Sequence, residues 1–173
     1  MGCGPAYEIQ RFLQTYPDPD LLSFELVDFN EETLTWVHGE LDAILSRVGK
    51  PVSIEYVQDS VHGLLKRRLN QEVVEQPFDA VYCAGLFDYL SDKVCTRLLA
   101  HFASRIRSGG TLLVTNVHPN NPERIFAMEH LAEWYLIYRD EAKMNALLPE
   151  RSINRKIYAD DTGVNVFAEV TIP

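Results

Sequence analysis

Cysteine is scarce in this chain, basic residues are outnumbered, and long apolar runs are missing. Cys3, Cys83 and Cys95 are the only cysteines among 173 residues. They are too few and too scattered for a zinc site or a disulfide framework, so no metal is expected and a reducing, cytoplasmic setting is. Lys and Arg number 16 against 25 Asp and Glu, a formal net charge of −9. Such a surface repels phosphate backbones, which argues against nucleic acid as a main partner. The densest basic cluster, Lys66-Arg67-Arg68, reads as the solvated end of a helix. No stretch approaches the ~18 consecutive apolar residues of a membrane span. The first residues also lack the basic start and apolar core of a secretory leader, so none is expected.

What remains is ordinary globular material, 46% hydrophobic and 24% charged, of a length that suits one domain. Segment 22–28 alternates partially and reads as a strand. Asn30 then caps a helix whose first turn carries Glu31 and Glu32, the favourable sign for its dipole. Leu34, Val37, Leu41, Ile44 and Leu45 recur at helical spacing in it. Gly49-Lys50-Pro51 stops that helix, 52–58 is the next strand, and a more polar helix covers 60–69. Segment 78–84 is nearly all apolar in its later residues, as in a strand covered on both faces. Ser91 caps a helix burying Val94, Leu98, Leu99, Phe102 and Ile106, closed by Gly109-Gly110, and 111–117 is a further buried strand. Asn121-Pro122 opens a helix predicted to run toward Tyr138, with His130, Trp134 and Tyr138 on one face. Asp140 caps a short helix ending before Pro149, and strands 153–159 and 164–172 form a hairpin about Asp160-Asp161-Thr162-Gly163. Alternating strands and helices with a terminal antiparallel pair predict a mostly parallel α/β sheet covered by helices, in a single domain spanning 1–173.

Open α/β sheets bind ligands at the carboxyl ends of their strands, and unusual residues collect there. Gly2-Cys3-Gly4-Pro5 is a glycine turn leading into a helix near Ala6, and such a turn lets backbone approach a ligand closely. Asp28 ends the next strand, at a distance from the glycines where an acid accepts hydrogen bonds from ribose hydroxyls. Gln58-Asp59-Ser60 follows strand 52–58, where a short polar side chain could meet an adenine amino group. Plainer readings stand beside these: a loose chain end, a helix-entry acid at Asp28, a helix cap at Asp59. Tyr7 sits where a dinucleotide fingerprint wants its third glycine, which disfavours a nicotinamide cofactor.

Taken together, Gly2-Cys3-Gly4-Pro5, Glu25-Leu26-Val27-Asp28, Val57-Gln58-Asp59-Ser60, 78–90 and Gly109-Gly110-Thr111-Leu112-Leu113-Val114 resemble the motifs of class I, Rossmann-like S-adenosylmethionine-dependent methyltransferases over nearly the whole chain. The resemblance implies a three-layer α/β sandwich and S-adenosylmethionine as cofactor. It implies that Gly2, Cys3 and Gly4 face the methionine portion and Asp28 the ribose, with Phe29 beside the adenine. Asp59 and Ser60 would lie at its amino group, and Ala84 and Gly85 along the floor. In that family a central strand precedes the glycine motif, and here the sequence starts at the motif. The expectation is therefore an N-terminally truncated domain, with strands 22–28 and 78–84 lacking the neighbour between them. The Asn/Asp-Pro-Pro-Tyr/Phe and Pro-Cys motifs of nucleic-acid methyltransferases are absent after 78–84. A small-molecule or lipid-like acceptor is expected instead. Segment 129–139 is similar to enzymes linked to hydroxy-fatty-acid methyl ester synthesis, which points to a carboxylate acceptor with Arg139 as its anion partner. His118 is the candidate base, beside the plainer reading of a loop histidine bonded locally before Pro119, and Tyr89 is a candidate at the acceptor mouth, beside a packing role. The other reading is a non-catalytic module of this fold that assembles, as a homo-oligomer, through an open sheet edge.

Overall fold

The computed structural model describes residues 1–16, 18, 21–49, 51–67 and 77–173. It divides into two compact units, Met1–Leu64 and Leu65–Pro173. Lys50, Leu69 and Arg68, assigned above to a helix stop, a helix end and the basic cluster, lie outside the described residues.

In the first unit, α1 (Tyr7–Thr15) leads to β1 (Ser23–Asp28), α2 (Glu31–Val48), β2 (Ser53–Gln58) and the start of α3 (Val61–Arg67). The strands are parallel, with Leu26 beside Tyr56 and Asp28 beside Gln58. α2 forms where its cap and stripe predict. The Asn30 side chain accepts from the amides of Glu32 and Thr33, and Gly49 ends the helix by donating to the Leu45 carbonyl. Leu34, Val37, Leu41 and Ile44 are buried. The last three of these pack with Ile9 and Leu13 of α1 and Leu26 of β1. Burial of each such side chain stabilises the unit by roughly 2 kcal/mol before entropy is counted. The Val27 carbonyl, on the side of β1 away from β2, accepts from the Cys3 amide at 3.1 Å. The glycine loop is thus tied to the edge of β1 where no strand pairs among the described residues.

The second unit holds β3 (Phe78–Cys83), a single 3₁₀ turn (Phe87–Tyr89), α4 (Asp92–Arg105) and β4 (Ile106–Val117). A π-helical stretch (Arg124–Leu131), α5 (Glu141–Leu147), β5 (Ile153–Ala159) and β6 (Asn165–Thr171) follow. The sheet order is β3-β4-β6-β5. β3 and β4 are parallel, whereas β6 runs antiparallel to both β4 and β5. The hairpin turns where expected, with the Asp160 carboxylate accepting from the amides of Val164 and Asn165.

Three expectations need correction. The helix predicted toward Tyr138 stops at Leu131, because Glu133 takes a left-handed φ of 49°. Trp134 and Tyr138 therefore lie on irregular chain rather than on one helix face with His130. Second, β4 begins at Ile106, directly after α4, so Gly109 and Gly110 lie inside a strand instead of closing a helix. A Cβ on Gly110 would stand 2.7 Å from the Asp79 carbonyl, so close approach of β3 is what requires the glycine. Third, β3 is not covered on both faces. Asp79, Ala80 and Tyr82 are exposed, and among the described residues β3 pairs with β4 alone.

Candidate functional site

In the first unit the three strand-end signals meet by direct bonds. The Asp28 side chain is only 5% exposed. Its Oδ2 accepts from the Gly4 amide at 3.0 Å and its Oδ1 from the Asn30 amide at 3.0 Å. The Asp28 main-chain carbonyl accepts from the Asp59 amide at 2.9 Å. One residue therefore joins the glycine loop, the entrance to α2 and the end of β2. A carboxylate offers about four lone-pair directions, so two acceptor positions remain after these amides are served.

The glycine loop is built for closeness. Gly2 and Gly4 have φ of 65° and 49°, and nothing lies within 4 Å of where a Cβ on Gly4 would project. That open space beside a carboxylate is a cradle only glycine leaves free. The loop's amides work inside the protein: Cys3 donates to Val27, Gly4 to Asp28, and Ala6 to the Cys3 carbonyl at 3.0 Å. Burial, reinforced by the Asp28 charge, pushes the half-buried Cys3 thiol up to about 11, so it stays protonated at neutral pH. Phe29, next to Asp28, presents a ring that is 70% exposed.

At the end of β2, Asp59 Oδ1 accepts from the Ser60 amide at 2.8 Å, and the Ser60 hydroxyl accepts from the Gly63 amide at 3.0 Å as the cap of α3. A Cβ on Gly63 would overlap Asp59 Oδ1. Gly63 thus makes room for this carboxylate, a role the sequence signalled only as a glycine inside a helical stretch.

In the second unit Gly85 (φ 72°) and Ala84 follow β3 on exposed chain, and the Gly85 amide donates to Thr115 Oγ1 at 3.3 Å. Tyr89 is 55% exposed, and its hydroxyl accepts from the indole Nε1 of Trp134 at 3.0 Å. His118 is held at both ring nitrogens. Nδ1 accepts from the Asn120 amide at 3.0 Å, and Nε2 stands 3.4 Å from Glu141 Oε2. The first bond consumes the Nδ1 lone pair and leaves the proton on Nε2 facing the carboxylate.

Arg139 differs from its expected role as a partner for a substrate anion. It is 1% exposed. Its Nε and Nη2 donate to Asp92 Oδ1 at 2.9 and 2.7 Å, its Nη1 to the Phe87 carbonyl and Asn116 Oδ1 at 2.8 and 2.7 Å, and its Nη2 also to the Leu90 carbonyl at 2.6 Å. A guanidinium has five N–H groups, and these bonds use all of them. Asp88, which the sequence reading passed over, is buried beside this network with Oδ1 accepting from the Val117 amide at 2.6 Å. Burial raises its pKa, and the amide bonds and Arg139 only partly offset that. An acid set between Leu86-Phe87 and Tyr89-Leu90 was the available signal. Among the described residues no cluster of His, Cys, Asp and Glu is suited to a metal, and no helix is long and apolar enough to cross a membrane.

Compared with solved structures, the chain has the fold of class I S-adenosylmethionine-dependent methyltransferases. It is similar to the S-adenosylmethionine-dependent methyltransferase SibL in its apo form, at 14% identity and TM-score 0.67, covering 99% of this chain and 49% of that one. It is also similar to the magnesium protoporphyrin IX methyltransferase of Synechocystis PCC 6803 with bound SAH, at 11% identity and TM-score 0.65, covering 99% of this chain and 71% of that one. A "possible exported protein" of Bordetella parapertussis aligns at 15% identity and TM-score 0.68, covering 96% of this chain and 66% of that one. The chain thus spans about half of the first of these and just under two thirds of the last. No protein-family model matches the sequence, and comparison with curated proteins gives no match.

Proposed function

We propose that residues 1–173 belong to a single, N-terminally truncated methyltransferase-like domain, and that the protein transfers the methyl group of S-adenosylmethionine to an oxygen of a small-molecule or lipid-like acceptor. The observation that carries this reading is the Gly4–Asp28–Asp59 chain of bonds, which sets an open glycine cradle, a carboxylate with spare acceptor positions and a second carboxylate side by side. Those groups fit a nucleoside carrying a positively charged sulfur. Asp28 holds the ribose hydroxyls, Phe29 flanks the base, Asp59 and Ser60 take its amino group, and Gly2, Cys3 and Gly4 give the amino-acid portion room. The floor residues Ala84 and Gly85 that the family resemblance implies belong to the second unit. When bound, the cofactor supplies an activated methyl on a sulfonium, and the protein's contribution is alignment and exclusion of water.

The acceptor side belongs to the second unit. With both nitrogens of His118 engaged, the favoured acceptor is an oxygen that is already anionic, such as a carboxylate, and so needs no base. His118 then serves to order the chain after β4. Tyr89 contacts the acceptor: its oxygen accepts the indole proton and its own proton stays available to donate. Isothermal titration with S-adenosylhomocysteine tests the reading. Saturable binding that weakens at least tenfold in Asp28→Ala, or in Asp28→Asn where the alanine variant is unfolded, with circular dichroism showing the variant folded, supports it. Absence of heat with the parent protein refutes it.

A second reading, a non-catalytic module that self-associates, is favoured by one observation. β1 and β3 each pair on one side only among the described residues, and open edges invite strand addition. Light scattering that gives the mass of a monomer across a hundredfold concentration range would eliminate it.

A further inference from the structure

We propose that Arg139 is the positioning residue of the acceptor side: it fixes the 86–90 turn so that the Tyr89 hydroxyl meets the Trp134 indole and turns its own O–H toward the acceptor oxygen. The meaning of that last contact rests on the methyltransferase reading, but the geometry does not.

A lone three-residue 3₁₀ turn has little intrinsic stability, and its shape is set by what grips it. Here the grips are specific. Arg139 holds the Phe87 carbonyl through Nη1 and the Leu90 carbonyl through Nη2, one residue before and one after the Asp88-Tyr89 pair. The Ile137 amide donates to the Asp88 carbonyl at 2.8 Å, and the Asp88 carboxylate is pinned to the Val117 amide of β4. Tyr89 is left as the exposed side chain of a turn clamped on both flanks.

The same network anchors Tyr89's partner. Trp134 lies on the irregular chain between the π-helical stretch and Asp140. That chain is tied down where Asn116 Nδ2 donates to the Ile137 carbonyl at 2.9 Å and where Arg139 itself donates from its backbone to Val117 at 3.2 Å. Asn116 Oδ1 in turn accepts from Arg139 Nη1. The Trp134 amide also donates to the Met128 carbonyl at 2.8 Å. The guanidinium thus grips the turn bearing Tyr89 directly and the chain following Trp134 through Asn116, while its side chain bonds to neither ring. A hydroxyl that accepts from an indole is polarised to donate more strongly itself, which suits an anionic oxygen.

Trp36 and Trp134 are the two tryptophans of the chain, so a Trp36→Phe protein shows a single indole N–H resonance. In ¹⁵N-labelled protein, Tyr89→Phe should displace this resonance and speed its solvent exchange about fivefold, the worth of one net hydrogen bond. Arg139→Lys should move it in the same direction without touching Trp134. Because Arg139 is buried and its replacement could prevent folding, Asp92→Ala provides the parallel test. Asp92 is 74% exposed at its side chain yet accepts two of the five Arg139 bonds. A merely structural clamp would lower the melting temperature and leave the folded-state indole resonance in place. If the resonance in folded Arg139→Lys, or in Asp92→Ala when the lysine variant does not fold, coincides with that of the parent, the positioning role is overturned. S-adenosylhomocysteine titrated into the same samples separates the two claims. Absence of binding in the parent removes the methyltransferase reading, while the indole shifts still decide the role of Arg139.

Discussion

Replacing Asp28 by alanine strips acceptors from two partly buried amides, those of Gly4 and Asn30, each bonded at 3.0 Å. A hydrogen bond to a charged acceptor is worth about 1.5–3 kcal/mol net, and an abandoned buried donor costs about 1–3 kcal/mol. Partial access of water to the loop trims these figures, leaving an expected loss of roughly 2–4 kcal/mol. Trp36 lies in α2 of the first unit, so in a Trp134→Phe background its fluorescence follows that unit's urea unfolding. With a slope of ~1 kcal/mol per molar for a unit of this size, the midpoint should fall by about 2–4 M, or the unit should be unfolded without urea. Asp28→Asn is the finer probe. Both carboxylate oxygens accept from amides, so the NH₂ of asparagine must face one donor, and roughly half the loss should remain. A midpoint unmoved by Asp28→Ala would refute the reasoning. It would mean that this carboxylate does not hold the glycine loop in solution, and the preorganised cradle would go with it.

Gly63→Ala separates fold from ligand. The added methyl displaces the Asp59 carboxylate while raising helix propensity by up to ~1 kcal/mol. Stability by thermal melt should therefore hold or rise slightly, and S-adenosylhomocysteine affinity should fall about fivefold, one hydrogen bond's worth. Equal affinity would show that Asp59 does not touch the ligand. Asp88→Asn tests the buried acid. Because the fold raises its pKa above the ordinary carboxyl value of 3.8, native stability is lost as pH rises through the raised value. The asparagine, neutral throughout and still able to accept from Val117, should be the more stable protein at pH 7. That advantage should disappear as pH falls toward 3.8, and denaturant melts across this range that run in parallel would contradict the cause assigned.

What could be read in advance was whatever is encoded locally. α2 follows from Asn30, a 3.6-residue stripe and Gly49, each within reach of its neighbours in sequence, and the hairpin about Asp160 follows from one carboxylate and a glycine. The glycine loop at Gly4 and the strand ends at Asp28 and Asp59 were legible because a parallel α/β arrangement draws attention to the carboxyl ends of its strands. That Asp28 joins all three segments was not, since its bonds to Gly4 and Asp59, unlike the local one to Asn30, are set by tertiary approach. The segment 121–138 shows the limit most clearly. Its four-residue spacing of His130, Trp134 and Tyr138 fits a helix, but the chain leaves the helix at Glu133 and its later part is tied to Asn116, more than twenty positions away in sequence. Arg139 itself looked like an anion receptor because a sequence displays charge and hides donors already spent. Five N–H groups facing Phe87, Leu90, Asp92 and Asn116 leave none for a substrate. The charge that suggested recognition is instead spent on the turn bearing Tyr89, where it bonds the Phe87 and Leu90 carbonyls on either side.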